Sequence, residues 1–347
     1  MFSISSLNKF FVAFCFASLL FSTVKAQSTE SFSFTLPINK VSNSLYNKIS
    51  FIDARTDTTN LGIIQKGAFN KQAKLVANES LTIQLDHILK ALIDSTSKPG
   101  ELILQVRQLR FYEVTGAISE KGYFAFRAEL YAKSMGSYKK LALIDTVSVV
   151  SAMDVTNKNL KRGSETIANF IASNLNREPT APLSYSYTDI TKIDSIEKSQ
   201  LKLFTSPAYA EGVYFTYKSF RDQTPDGNIV IDGDSLKKNN VKALLADGQS
   251  IKVKPANTYA IVYKGKPYIV TPYEFYPLLK VGNNFVFTGK GSTATSTSVM
   301  MGSALFGVAG GMIAASEKST FEMKIDYTTG QFIRMKEIRE PLPGDSN

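Results

Sequence analysis

The side chains able to do covalent or acid–base chemistry are few and scattered. One histidine, His87, and one cysteine, Cys15, occur in 347 residues. Those counts exclude a Cys/His zinc cage, a disulfide framework and any site needing two imidazoles. His87 stands on a helical pattern and reads as a surface or boundary residue, and no Gly-x-Ser-x-Gly elbow accompanies it. Asp53, Arg55 and Asp57 follow a short apolar run at 49–54. An Asp–Arg pair in that position more often fixes a turn than acts as acid and base, and a hydrolase built on Asp53 and Asp57 is the alternative. Asp226-Gly227-Asn228 and Asp232-Gly233-Asp234 supply oxygen ligands but lack the spacing and closing Glu of a calcium hand, so they read as two turns. Gly289-Lys290-Gly291-Ser292 lacks the spacing of a phosphate loop. The expectation is a protein that is not an enzyme, with no catalytic residue, cofactor or metal.

What remains is surface chemistry. Between 231 and 290, nine lysines face four acids, and tyrosines are interleaved with them. Tyr263, Lys264, Lys266 and Tyr268 are the densest part, around a Lys-Gly-Lys hairpin turn. Such a face suits an anionic glycan or lipid headgroups. Solvated lysines that discourage edge-to-edge sheet pairing are the default explanation for the same residues.

The chain opens like an export signal. Lys9 precedes an apolar stretch at 10–21, and Val24-Lys25-Ala26 sets small residues at −3 and −1 of a cut between Ala26 and Gln27. The apolar stretch is short for a membrane span of ~20 residues. Cys15 lies inside it and would leave with the leader, so the mature chain is expected to lack thiols. Without Lys9 and Lys25, 38 basic residues face 30 acidic ones, and the formal charge falls from +10 to +8. That sign favours anionic surfaces. The expected location is periplasmic or outer-membrane associated, with no nucleic-acid partner.

The elements follow from hydrophobic period. Residues 27–177 read as an α+β unit: a strand at 49–54, a helix with Leu81, Leu85, Ile88, Leu89 and Leu92 on one face, three strands, and a last helix carrying Leu160, Ile167, Phe170, Ile171 and Leu175. Asn78 or Ser80 could cap the first helix. Short connections make the three strands antiparallel neighbours, so the expectation is an antiparallel sheet covered by two helices. Residues 178–210, with Pro179, Pro182 and Pro207, read as a linker with room for one short helix around 193–203. Residues 211–340 read as mostly β, closing on a hairpin across Thr328-Thr329-Gly330-Gln331.

One segment is physically odd. Residues 291–316 carry no charge, and Ser303, Gly307, Gly311 and Ala315 fall at strict four-residue spacing inside the Gly/Ala-rich stretch 298–316. If helical, they form a stripe that admits another backbone closely. Its central 17 residues, 299–315, would reach about 25 Å, short of a ~30 Å bilayer core. Packing on the unit's own sheet, membrane or oligomer contact, and an irregular loop all stay open.

The second unit resembles secreted Bacteroidota cell-envelope proteins. The likeness rests on the run from Glu211 through Val213-Tyr214-Phe215-Thr216-Tyr217 to Phe220, on Thr224-Pro225, on Tyr263-Lys264-Gly265-Lys266-Pro267-Tyr268-Ile269, and on Asp326-Tyr327-Thr328-Thr329-Gly330. The first unit, through Asp53-Ala54-Arg55, Leu61-Gly62 and the amphipathic helix after them, resembles periplasmic auxiliary lipoproteins of outer-membrane transport, although it lacks a usable lipobox. The resemblances imply a binding or scaffold component that contacts an envelope protein, a glycan or a lipid surface. They carry over no catalytic residue.

Overall fold

The structure, a computed structural model, describes residues 28–66, 71–115, 120–153, 155–233, 236–237, 239–292 and 318–338. The class is α+β. Four strands come first: β1 (Ser28–Phe32), β2 (Lys48–Asp53), β3 (Gly62–Lys66) and β4 (Lys71–Ala77). Helix α1 (Leu81–Leu92) follows, then β5 (Glu101–Thr115), β6 (Glu120–Ser134) and β7 (Ser137–Ala152), and helix α2 (Thr156–Ala172). With β8 (Ser184–Tyr185) these strands build one sheet in the order β1-β4-β3-β5-β6-β7-β8, and β2 also pairs β5.

The helices form where the period demanded. All five apolar residues expected on one face of α1 are buried, and Ser80 caps it by accepting from the Ile83 amide at 3.4 Å. Both helices lie on one face of the sheet. Their side chains share a core with Leu102, Leu104, Val106, Leu109, Phe111, Phe124 and Phe126.

The sheet differs from expectation in two respects: among the described residues it has eight strands where four were read, with β1, β3, β4 and β8 added, and it is not wholly antiparallel. Strands β5, β6 and β7 are antiparallel neighbours, but β2 and β3 run parallel to β5, and β1 parallel to β4. The sheet is therefore mixed. The chain between β2 and β5 is long enough to cross over through α1, which is what a parallel pair needs.

The stretch 178–210 is not a bare linker. It carries β8 and three short helices, α3 (Tyr187–Thr191), α4 (Ile193–Lys198) and α5 (Lys202–Thr205). Ile190 and Ile193 are buried, and Ile190 joins Ile103, Tyr131 and Tyr138 on the sheet face away from α1 and α2. The Gln105 amide donates to the Ile190 carbonyl at 2.8 Å. Apolar residues too sparse to show a period still anchor one-turn helices when a sheet face lies beneath them.

The remainder is mostly β. Strand β9 (Gly212–Tyr214) leads into α6 (Tyr217–Arg221), then β10 (Asn228–Ile231), β11 (Val241–Leu244), β12 (Ser250–Lys252), β13 (Ala260–Tyr263), β14 (Lys266–Val270) and β15 (Phe275–Pro277). The described chain closes with β16 (Leu279–Val281), β17 (Asn284–Ser292), β18 (Lys318–Ile325) and β19 (Phe332–Ile338). They form sheets β15-β14-β13-β9, β16-β17-β18-β19 and β10-β11-β12. An aromatic core including Tyr214, Phe220, Tyr259, Phe285, Phe287 and Phe321 joins the two four-stranded sheets. The Gly/Ala-rich stretch with Ser303, Gly307, Gly311 and Ala315, and the cut between Ala26 and Gln27, lie outside the described residues. Among the described residues, no helix is long and apolar enough to cross a membrane.

Candidate functional site

The densest gathering of ionisable side chains sits where the β-rich part meets the large sheet. Its first member is placed by a defect. Val106 pairs Ala128 and Gln108 pairs Arg127, so Arg107 is an extra residue in β5. A bulge of this kind re-aims a side chain. The inward residues change parity across it, from Leu102, Leu104 and Val106 to Leu109 and Phe111, and Arg107 is left on the outer face.

There the Arg107 guanidinium reaches Glu129 of β6 at 3.3 Å, Glu197 of α4 at 2.9 Å and the Tyr327 hydroxyl at 2.6 Å. Lys140 of β7 closes the group, with its Nζ 2.9 Å from Glu129 and 3.7 Å from Glu197. The Tyr131 hydroxyl donates to Glu129 as well, and Tyr327 is shared between Asp194 at 3.0 Å and Glu197 at 2.7 Å. Two residues before Glu129 on β6, Arg127 reaches Asp145 at 3.0 Å, Asp326 at 2.9 Å and the Thr328 hydroxyl at 2.7 Å.

Asp326, Tyr327 and Thr328 belong to the turn between β18 and β19. Asp326 accepts from the Thr328 amide and hydroxyl, and the Gly330 amide donates to the Asp326 carbonyl at 2.7 Å. From behind, Tyr217 donates to the Tyr327 carbonyl at 2.6 Å and Tyr259 to the Gly330 carbonyl at 2.8 Å. Gly330 has φ +78°, and a Cβ there would lie 2.2 Å from the Tyr217 ring. The turn is thus held by aromatic hydroxyls on one side and two sheet arginines on the other.

The electrostatics follow from that enclosure. Burial alone would raise the Glu197 carboxyl, but the hydrogen bond and charge of Arg107 outweigh it and hold Glu197 below the ordinary carboxylate value. Burial likewise acts to raise Asp326, and Arg127 with Thr328 brings it below. Arg107 would be lowered by burial, yet Glu129 and Glu197 raise it and keep it charged. Burial raises Tyr131 and Tyr327 and keeps both as hydroxyl donors. Each strong charge here is answered by another from a different element, so the cluster is chemically suited to joining layers.

The sequence-derived candidates fall elsewhere. Lys264 and Gly265 have φ of 51° and 69°, which makes the β13–β14 connection a two-residue turn of the type that fits twisted strands. Lys264 and Lys266 are exposed at its tip, and Tyr263, half-buried, pairs Lys266 across the strands. Lys264 Nζ lies 5.2 Å from the centre of the Tyr263 ring. Tyr268 stands two residues further along β14, packed against the cluster formed by Val213, Ile261 and Val270. The structure therefore brings Tyr263, Lys264 and Lys266 together and sets Tyr268 behind them. It also adds Glu211, whose carboxylate accepts from the Gly265 amide at 3.0 Å and tempers the positive tip.

The other motifs are taken up locally. Arg55 donates to both Asp53 oxygens from one guanidinium edge, Nε and Nη2, at 2.8 and 2.7 Å, and from Nη1 to the Asn60 carbonyl at 3.1 Å. Asp57 accepts from Thr59 and Asn60 and pairs Arg110. Asp226 accepts from the Phe215 amide at 2.7 Å, and Asp232 pairs Lys242 at 2.8 Å. His87 is exposed, 3.5 Å from Glu79. Among the described residues, no group of three or more His, Cys, Asp or Glu side chains could hold a metal ion.

Fold and site together define an α+β protein whose helix-backed sheet carries a β-rich part clamped onto its other face. No family model matches the chain. No curated protein matches it. Among solved structures, a Xanthomonas campestris protein of the family DUF330 aligns over 48% of this chain and 99% of its own, at 11% identity and a TM-score of 0.27.

Proposed function

We propose that this is a non-catalytic, exported cell-envelope protein that works as a binding or scaffold component. The observation that carries the reading is the closed charge cluster. Arg107, Arg127, Lys140, Glu129, Glu197 and Asp326 come from three strands, a one-turn helix and a distant turn, and they are spent on one another. Such pairing holds layers in one arrangement and suits a part whose task is to present surfaces. The leader pattern at 1–26 supports the envelope location.

Fractionation of cells expressing a C-terminally tagged chain tests this reading. The expected result is recovery in the envelope or periplasmic fraction, with mass spectrometry placing the mature N-terminus at Gln27. Recovery solely in the cytoplasm with the leader intact overturns it.

The hairpin favours a second reading, a module for anionic glycan or lipid headgroups using Tyr263, Lys264, Lys266 and Tyr268. Its expected signature is cosedimentation with anionic liposomes or acidic polysaccharide that weakens with salt and is lost in Lys264→Glu/Lys266→Glu. Equal binding by the variant and the parent chain counts against it.

A further inference from the structure

Strand β7 has an open edge. It is 16 residues long, and β8 pairs with Tyr138 and Lys139 alone. From Lys140 to Ala152, β7 pairs β6 on one side, and among the described residues no strand pairs its other side. Main-chain groups on such an edge are a template for another strand, and proteins usually blunt it with Lys, Pro or a short length. Between the bulge at Leu141 and Ser151, whose carbonyl accepts from the Lys158 ammonium at 3.2 Å, this edge is not blunted. Residues 141–152 hold one charge, Asp145, and no proline, and they are rich in Val, Leu, Ile, Thr and Ser. Two large apolar side chains, Leu143 and Val149, stand 60% and 46% exposed on it.

We propose that two copies of this chain join edge to edge along β7, antiparallel, about a twofold axis at Thr146. A twofold contact is self-complementary: if residue i meets residue j of the copy, j meets i. Thr146 is the midpoint of the open span 140–152. Centring there sets Leu143 opposite the copy's Val149 and Val149 opposite the copy's Leu143, so each exposed apolar residue finds the other. The same register places Asp145 opposite Val147. An axis at Asp145 would set two carboxylates face to face, which is destabilising. Asp145 is in addition neutralised within its own chain by Arg127 at 3.0 Å. Beyond the β7 bulge at Leu141, residues 142–150 pair without interruption, and the product is one sheet running through both copies.

Sedimentation of the purified full chain over a concentration series tests this. A species of twice the chain mass is expected, and a monomer at every concentration overturns the proposal, including the case in which β7 pairs a strand of some other protein. Leu143→Lys and Val149→Lys should each raise the dimer dissociation constant about tenfold, since each change spoils two symmetry-related pairs. The double variant Leu143→Lys/Val149→Glu should restore the dimer, because the register sets each introduced ammonium opposite the copy's introduced carboxylate. Dimer indifferent to all three variants overturns the register.

Circular dichroism reports whether these variants fold. A second route needs no apolar-to-charged change. In a Cys15→Ser background, Thr146→Cys faces itself across the axis, with α-carbons ~4.5–5.5 Å apart, and should cross-link on mild oxidation. Ser151→Cys should not. Equal cross-linking of both, or of neither, overturns the proposal.

Discussion

At the scale of single residues, Arg107 matters most. Its side chain is 8% exposed and answers three carboxylates, Glu129 of β6 and Asp194 and Glu197 of α4. Removing Arg107 leaves Glu129 with Lys140 at 2.9 Å and Glu197 with Tyr327 and the longer Lys140 contact, so the loss falls short of a wholly unpaired buried charge, at about 2–3 kcal/mol. Arg107→Met is therefore expected to lower stability by that order in urea unfolding, whereas His87→Ala, on an exposed position, should stay within about 0.5 kcal/mol. Arg107 was not singled out from the sequence, although a signal for it was there. The parity break between Val106 and Leu109 marks a bulge and so an arginine turned to the outer face. Its partners lie 22, 90 and 220 positions away, and no local period reports a contact at that distance.

At the scale of elements, legibility tracked amphipathic length. Helix α1 spans twelve residues with a full apolar face, and each apolar residue read from its spacing is buried. Its cap was readable too: Ser80→Ala should cost about 1 kcal/mol in thermal unfolding. Strands β10, β11, β15 and β16, of three or four residues, went unread, and so did β1, β3 and β4, of five to seven, whose polar residues such as Thr29, Glu30, Gln65, Lys71 and Gln72 leave no clean alternation. The 326–331 turn was readable as a turn, and its docking was not. Gly330→Ala tests the docking, because it forces a side chain into a left-handed backbone and against the Tyr217 ring. A loss of about 2 kcal/mol is expected, read as a lower melting temperature.

At the scale of the whole molecule, the joint between layers should respond to acid. Glu197 and Asp326 are held below their ordinary values in the folded chain. As pH falls from the unfolded carboxyl value toward the lower folded one, the unfolded chain binds more protons, so stability falls with it. Their contribution is complete above about pH 5 and fades below about pH 4. The urea midpoint should be flat on the neutral side and drop on the acid side. Glu197→Gln should flatten part of that drop, and an unchanged slope would remove Glu197 from the account. The α+β class was legible because it needs periods alone, while the clamp depends on which sheet face meets which turn.

The separation in sequence between Arg127 and Asp326 has a consequence for the order of synthesis. These partners are 199 positions apart, and Arg107 and Tyr327 are 220 apart. While the chain emerges from the ribosome, both guanidinium groups wait on a nearly finished sheet for a loop not yet made. A nascent chain halted before Asp326 would hold its longest strands with Arg107 paired to Glu129 and Glu197 and Arg127 to Asp145, but with the turn that covers them missing, a form suited to capture by chaperones and proteases.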